Sequence, residues 1–372
     1  MKVLYDHQIY SSQVYGGISR YFYELINRFD DDDEKITPLL DVRFSNNYYI
    51  RNLAALSPHY FLKNLNFRGK NRILEWINRM HTVSLLKKNE YDLFHPTFYN
   101  PYFLEHLNDK PFVLTIMDLI HEFYPELPNA AGELASKKAL IEKADRIISI
   151  SQNTKNDLLK LYDIPAEKVD VIHLAQSNLN TLNGNCSVSF PEKFILFVGQ
   201  RKYYKNFPVL LKAFSQLSRE LPDYYLFCAG GGSFEQKELS LIEEYSVTHK
   251  VIQFNLSDHE LKCAYQRAEA FVFPSDYEGF GIPVLEAFSN DCPVILSNAS
   301  CFPEVGGQGA MYFERDCVED LSTKIRELLL NKDLKQDLIE KGRDRNKHFS
   351  WEKTAVETID VYKKVLALHG DK

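Results

Sequence analysis

Two glutamates, Glu278 and Glu286, stand eight positions apart in SDYEGFGIPVLEAF, residues 275–288, on either side of a glycine turn. The apolar run AFVFPS precedes them and good helix formers follow, with Pro283 near the first helical position, so the stretch reads strand, glycine loop, helix. Gly279 and Gly281 let the backbone turn sharply and a ligand approach, while amides at the helix N-terminus point at whatever sits in front. Such a pocket favours a phosphate. Carboxylates beside an anion repel it unless they accept hydrogen bonds from neutral hydroxyls, which sugars supply in quantity. The combination points to a sugar nucleotide. On spacing alone a second reading is equally open, in which Glu286 complements the helix dipole and Glu278 faces solvent.

A second loop carries the complementary charge. In FVGQRKYYKNFPVLLKAF a strand, a short loop and a helix follow one another, with Arg201 and Lys205 in the loop. Arginine offers a planar fork of donors and lysine a compact charge, a pair suited to a diphosphate. No metal or other cofactor is then expected beyond the nucleotide-sugar substrate. The aspartate run Asp30–Asp33 follows a helix in a polar tail and reads as a solvated charge run, not a metal site.

These loops need parallel sheets to hold them, and the chain shows two runs of alternating strand and helix signals. In the first half the strands are Lys2 to Tyr5, Leu93 to His95, Phe112 to Ile116 and Arg146 to Ile150; in the second, FILFVGQ, YYLFCAGGG, KVIQF, AFVFPS and CPVILSN. The fold class is α/β, with two doubly wound Rossmann-like domains. Residues 1–175 form the first, the Asn- and Ser-rich stretch 176–193 connects them, and 194–350 form the second. A closing amphipathic helix, 351–372, is free to pack back on the first domain. The glycines of the second half (Gly199, Gly230 to Gly232, Gly279, Gly281) fall where strands end, the edge at which open parallel sheets bind ligands.

Composition narrows the partners. The chain has 372 residues, 45% of them hydrophobic, and a formal charge of −7, a balance that disfavours nucleic acid as the main partner. The six cysteines lie in the second half without a C-x-x-C pair, and read as reduced, buried thiols of a cytoplasmic protein. No signal sequence or membrane-spanning run is legible.

The motifs EGFGIPVLE, VGQRKYYKN, ADRIISISQNTKNDL, PVILSNASCFPEVGG and an N-terminal YGGISRY together resemble the retaining glycosyltransferases of family 4 over nearly the whole chain. The resemblance implies the GT-B fold, two Rossmann-like domains facing a cleft, and metal-independent transfer of a hexose from a nucleotide diphosphate with the anomeric configuration kept. It implies that Arg201 and Lys205 hold the donor diphosphate and that Glu286 bonds the ribose. Glu278, with the backbone of Phe280, Gly281 and Ile282, holds the donor sugar and its phosphate, while Gly16 and Gly17 form the loop by which the first domain approaches diphosphate and acceptor. An ordinary strand-to-helix turn is the plainer reading of that glycine pair. The segments TIMDLIHE and HPTFYNPYF look like those of mannosyltransferases, which makes GDP-mannose the expected donor and surface polysaccharide the expected product.

One segment departs from the pattern. In VLTIMDLIHEFYPE, Met117 stands where many relatives place a histidine before the aspartate that Asp118 matches, and His121 follows three residues later. Asp118 and His121 both serve the site if the strand has ended by then; otherwise His121 is a helix-start or core histidine. His95 ends a strand on the same edge, with a loop-shaping role equally open, and His173 has the weakest claim.

Residues 51–89 hold eight Lys or Arg against one acid, Glu75, interleaved with Phe61, Phe67, Ile73, Trp76 and other apolar residues. This segment reads either as a peripheral contact with the anionic inner face of the cell membrane, suiting a lipid-linked glycan acceptor, or as a solvated helix pair. Other functions compatible with the chain are a nucleotide-sugar epimerase of the same fold and a non-catalytic sugar-nucleotide-binding protein. A nicotinamide oxidoreductase is disfavoured because neither half opens with G-x-G-x-x-G after its first strand.

Overall fold

The computed structural model describes residues 1–29, 36–40, 42–52, 69–176, 186–201 and 203–370. The aspartate run and the first part of the basic segment, with Phe61, Lys63, Phe67 and Arg68, lie outside the described residues. The chain divides into two units, one comprising Met1–Leu174 with Trp351–Lys372, the other Ala175–Ser350.

In the first unit the strands are β1 (Lys2–Tyr5), β2 (Thr37–Leu40), β3 (Leu93–His95), β4 (Val113–Ile116), β5 (Arg146–Ser149) and β6 (Val169–Val171). All pairings are parallel, in the orders β2-β1-β3 and β4-β5-β6. A single parallel bridge, Phe94 with Phe112, links β3 to the start of β4. β3 and β4 are buried at every position, as expected of parallel strands covered on both faces, and their apolar runs made them legible. β2 and β6 carry weaker patterns. Thr37–Leu40 contains Pro38, tolerated because β2 lies at the sheet edge, and Val169–Val171 places Asp170 in the strand, where Arg146 pairs with it at 2.6 Å.

Helix Trp351–Gly370 closes the first unit against its first strand. Tyr362 Oη lies 2.7 Å from Tyr5 Oη and 2.6 Å from His95 Nδ1, and Thr115 Oγ1 lies 2.9 Å from His95 Nε2. Both ring nitrogens of His95 are thereby engaged inside the core, and burial pushes its pKa down to about 3. His95 is a neutral structural residue that ties the last helix to the sheet, which settles the alternatives left open by its position. His173 offers its backbone carbonyl to Thr354 Oγ1 at 2.7 Å.

The second unit holds one six-stranded parallel sheet of β7 (Phe194–Val198), β8 (Tyr225–Ala229), β9 (Val251–Phe254), β10 (Ala270–Phe273), β11 (Val294–Ser297) and β12 (Ala310–Phe313), in the order β12-β11-β10-β7-β8-β9. Phe197, Leu226, Val272 and Ile295 from the strands and Leu210, Phe214, Leu321 and Ile325 from helices Phe207–Glu220 and Val318–Leu330 belong to its core. The described end of the expected connector is not a free linker. Ser187 Oγ donates to Glu260 Oε1, and Phe190 stacks on Phe194 with ring centroids 5.6 Å apart, beneath Arg267. An aromatic ring that covers the end of β7 draws this stretch into the second unit. All six cysteines are free, but Cys186, Cys263 and Cys317 are partly exposed, so only three are the buried thiols expected. Among the described residues no helix is long and apolar enough to cross a membrane.

Candidate active site

In the second unit the chain runs outward from β7 through β8 and β9, then returns to β10 and runs out the other way. Loops at such a reversal leave a crevice beyond the carboxyl ends of the two central strands. The loops after β7 and β10 meet there. Asp276 N donates to Tyr204 O at 2.7 Å, Asn206 Nδ2 donates to Asp276 Oδ1 at 2.9 Å, and Lys205 Nζ donates to Glu278 Oε1 at 2.5 Å. Burial raises the Asp276 pKa, opposed by Arg315, whose Nε lies 3.4 Å away.

Glu278 is fixed through its backbone. Its N–H donates to Ser300 Oγ at 3.2 Å, and Ser300 Oγ donates to Glu278 O at 2.7 Å. Ser300 was not singled out from sequence, where it is one polar residue among several in SNAS. Gly281 has φ +84°, a conformation that favours glycine, and a Cβ there would press on Phe302 Cε1 at 3.1 Å. Helix Ile282–Ser289 starts directly after it, with Pro283 in its first positions. Glu286, on the second turn, accepts from Tyr265 Oη at 3.3 Å. Burial, followed by the neighbouring Glu286 charge, pushes the Tyr265 phenol up. Glu278 and Glu286 are 9% and 8% exposed, which overturns the reading in which Glu278 faces solvent.

Arg201 is held by the loop after β8 and by Glu238 of the following helix. Its guanidinium donates from Nε to Glu238 Oε1 at 3.0 Å, from Nη1 to Gly230 O at 2.8 Å, and from Nη2 to Gly232 O at 2.8 Å and Ser233 O at 3.2 Å. Phe234 lies against it, 4.7 Å from ring centroid to Cζ. Gly230, Gly231 and Gly232 all have positive φ, and a Cβ on Gly231 would meet Arg201 Nη1 at 2.6 Å. Three left-handed glycines thus wrap one buried cation. Lys205 stands on the other side of the same loop, on Glu278.

Asp118, His121, Gly16 and Gly17 belong to the first unit. Asp118 Oδ1 accepts from Ile120 N at 3.1 Å and so opens the short helix Ile120–Phe123; His121 Nδ1 lies 2.9 Å from Glu133 Oε1. The strand has therefore ended before Asp118, and His121 sits one turn beyond it, half-buried and paired. Met117 is a core residue, 7% exposed. Lys137, fully buried, donates to Glu122 Oε2 at 3.1 Å and to Asp118 O at 3.3 Å, and so braces this turn. Sequence gave no sign of it, since a lysine in ASKKALIEK reads as solvated. Gly16 and Gly17 lead into helix Gly17–Phe29, where Gln13 Oε1 accepts from Ser19 N at 3.3 Å, and a Cβ on Gly17 would meet nothing within 4 Å.

Comparison with known proteins decides the family. Residues 15–175 match the model described as Glycosyltransferase Family 4, and residues 189–345 the one described as Glycosyl transferases group 1. The chain belongs to the family 4 glycosyltransferases. This glycosyltransferase is 28% identical over 300 residues to O-antigen chain mannosyltransferase B of Escherichia coli, covering 77% of each protein. It is 30% identical over 256 residues to the serotype-specific mannosyltransferase WbdA of Escherichia coli, where the match spans 64% of this chain and 31% of that protein. Sucrose-phosphate synthase from Thermosynechococcus elongatus superposes with a TM-score of 0.74 at 19% identity, over 99% of both chains, and shares the GT-B fold.

Proposed function

We propose that this glycosyltransferase takes mannose from GDP-mannose and passes it, with retention, to a hydroxyl of a glycan or lipid-linked glycan in surface polysaccharide synthesis. The mannosyltransferase names of its relatives support the sugar and the pathway class. The observation that carries the donor site is the Lys205–Glu278 pair at the strand reversal, beside the glycine-opened helix that bears Glu286.

In this reading Lys205 and the backbone of Phe280, Gly281 and Ile282 hold the diphosphate, Glu286 accepts from the ribose hydroxyls and Glu278 from the hydroxyls of the sugar. Arg201 acts behind them as a positioning residue for the Gly230–Ser233 loop. Asp118 and His121, with the loop at Gly16 and Gly17, serve the reacting sugar and acceptor from the first unit. The bond from the anomeric carbon to the diphosphate breaks, the bond to the acceptor oxygen forms on the same face, and the acceptor proton passes to the departing phosphate. Charge grows on that leaving group, so a preorganised cation and helix amides lower the barrier where the charge appears.

The acceptor side includes a membrane contact. Helix Lys70–Lys88 exposes Ile73, Trp76 and Met80 along one line, with Arg72, Lys87 and Lys88 also at the surface, while the chain as a whole is acidic. Lys70 is buried and takes no part. An apolar strip with basic neighbours suits an anionic leaflet.

Thermal shift with GDP, UDP, ADP and their hexose conjugates tests the donor. GDP and GDP-mannose are expected to stabilise the chain most; selective stabilisation by UDP or ADP replaces the mannose reading, and no shift with any nucleotide removes the donor site.

A further inference from the structure

Residues 186–190 run along one helix of the second unit. Helix Asp258–Arg267 presents Glu260, Cys263 and Arg267 at spacings of three and four, which is a single face of an α-helix, and this segment meets all three. Ser187 Oγ donates to Glu260 Oε1, the Cys263 thiol hydrogen-bonds to that of Cys186, and the Arg267 guanidinium lies 5.7 Å from the centroid of the Phe190 ring.

Both ends of this seam are anchored. Glu260 completes a capping box, accepting from Ser257 N at 2.9 Å and Ser257 Oγ at 2.8 Å, so the carboxylate that takes Ser187 is already held by its own helix. Phe190 stacks on Phe194 of β7, and its centroid lies 5.1 Å from that of Phe227 on β8. Between these anchors the thiols of Cys186 and Cys263 face each other, both partly open to solvent. Cys186 Sγ donates to Val188 O at 4.0 Å, which leaves its lone pairs for the S–H of Cys263.

The other thiols are placed differently. Cys228, Cys292 and Cys301 are buried, and burial pushes each of them up, while Cys317 Sγ is directed at a carboxylate, Glu319 Oε2, 4.0 Å away. Buried structural thiols are inert, whereas oxidation selects accessible thiols with a second cysteine at hand. Within the pair the roles divide. Burial, then the hydrogen bond and charge of Cys186, push the Cys263 thiol up to about 11 against the pull of Arg267 and Lys262. Cys263 therefore keeps its proton and shares it with Cys186, the sulfur that reacts first.

We propose that Cys186 and Cys263 form a modification site for hydrogen peroxide, an oxidisable pair whose disulfide staples residues 186–190 to helix Asp258–Arg267. The Cys186 sulfur attacks one peroxide oxygen and the O–O bond breaks; the second oxygen takes the thiol proton and leaves as water, so Cys186 becomes a sulfenic acid. The Cys263 sulfur then attacks the Cys186 sulfur, the S–O bond breaks, and the departing hydroxide takes the Cys263 proton and leaves as a second water. Two thiols lose two electrons in all, and one peroxide is reduced to two waters. The new bond closes a long loop and so removes entropy from the unfolded chain.

The test treats the full chain with hydrogen peroxide and follows free thiols, peptide maps and thermal melts. Two of the six thiols should be lost, the map should show one Cys186–Cys263 peptide, and the melting temperature should rise by about 5 °C and return with dithiothreitol. Dimedone, which traps sulfenic acids, should label Cys186 in the Cys263→Ser variant and should not label Cys263 in the Cys186→Ser variant. A chain that keeps all its thiols under peroxide, or a disulfide that pairs any other two cysteines, overturns the proposal. So does a Cys186–Cys263 bond that leaves the melting temperature where it was, or dimedone labelling of Cys317 in place of Cys186.

Discussion

Lys205 Nζ stands 2.5 Å from Glu278 Oε1, and the two side chains come from loops that leave adjacent strands of the second unit. The contact holds the cation on the rim of the crevice, against the carboxylate. In the proposed reaction, replacing Lys205 with methionine removes the positive charge set against the leaving diphosphate, so kcat should fall about 10²-fold, the range seen when one preorganised transition-state donor is lost. A steady-state assay with GDP-mannose measures it, with thermal melts to establish that the variant folds. An unchanged kcat would take Lys205 out of the mechanism.

Arg201 and Glu238 lead to a different expectation from the one a phosphate ligand would give. Removing one partner of a buried, hydrogen-bonded ion pair strands the other, at a cost of about 3 kcal/mol or more. Arg201→Ala should therefore lower the urea midpoint strongly, and a double-mutant cycle with Glu238→Gln should show a coupling of about 1–3 kcal/mol. Arg201→Lys, which cannot reproduce the fork to Gly230 and Gly232, should raise the donor KM more than it lowers kcat, since the loop shifts while Lys205 remains. Full stability with a large loss of kcat in Arg201→Ala would return the arginine to the diphosphate.

Much of this was legible in the sequence because parallel strands buried on both faces are written as apolar runs. Phe194–Val198, Tyr225–Ala229 and Ala270–Phe273 announce themselves, and the glycines after them mark the ligand edge. Thr37–Leu40 and Val169–Val171 were not legible, being short and interrupted by Pro38 and Asp170. Residue types offered candidates for the site but not their partners. An arginine in a glycine-rich neighbourhood signals anion binding whether it faces a ligand or the carbonyls of Gly230 and Gly232, and only the three-dimensional path of that loop separates the two. The same holds for Lys137 and Ser300, whose roles depend on Asp118 and Glu278 being brought to them by distant strands.

His95 makes the fold sensitive to acid. Its folded pKa is about 3 against about 6.5 for an unperturbed histidine, so as the pH falls the unfolded chain takes up this proton first. The stability it contributes is complete above about pH 6.5 and is lost as the pH falls towards 3, amounting to about 2 kcal/mol by pH 5. His7, whose pKa burial also lowers, acts in the same direction. Urea midpoints at pH 7 and pH 5 should differ accordingly. His95→Gln, whose carboxamide can still meet Tyr362 and Thr115, should show the smaller difference; equal slopes in both proteins would show that the imidazole is not held neutral.

The proposed membrane contact has a built-in reporter, because the chain has two tryptophans and only one is exposed. Trp351 is 4% exposed, whereas Trp76, between Ile73 and Met80 on helix Lys70–Lys88, is 62% exposed. A blue shift of tryptophan emission on adding vesicles therefore reports burial of Trp76. Phosphatidylglycerol vesicles should produce it and phosphatidylcholine vesicles should not, because each basic residue near an anionic surface contributes about 1 kcal/mol. Neutralising Arg72, Lys87 and Lys88 to glutamine should then weaken partitioning roughly hundredfold, and high salt should do the same by screening. Trp76→Ser should lose both the signal and most co-flotation with the vesicles, since the indole supplies apolar area as well as the fluorescence. Binding that ignores lipid charge and survives the triple substitution would leave helix Lys70–Lys88 as an ordinary solvated face.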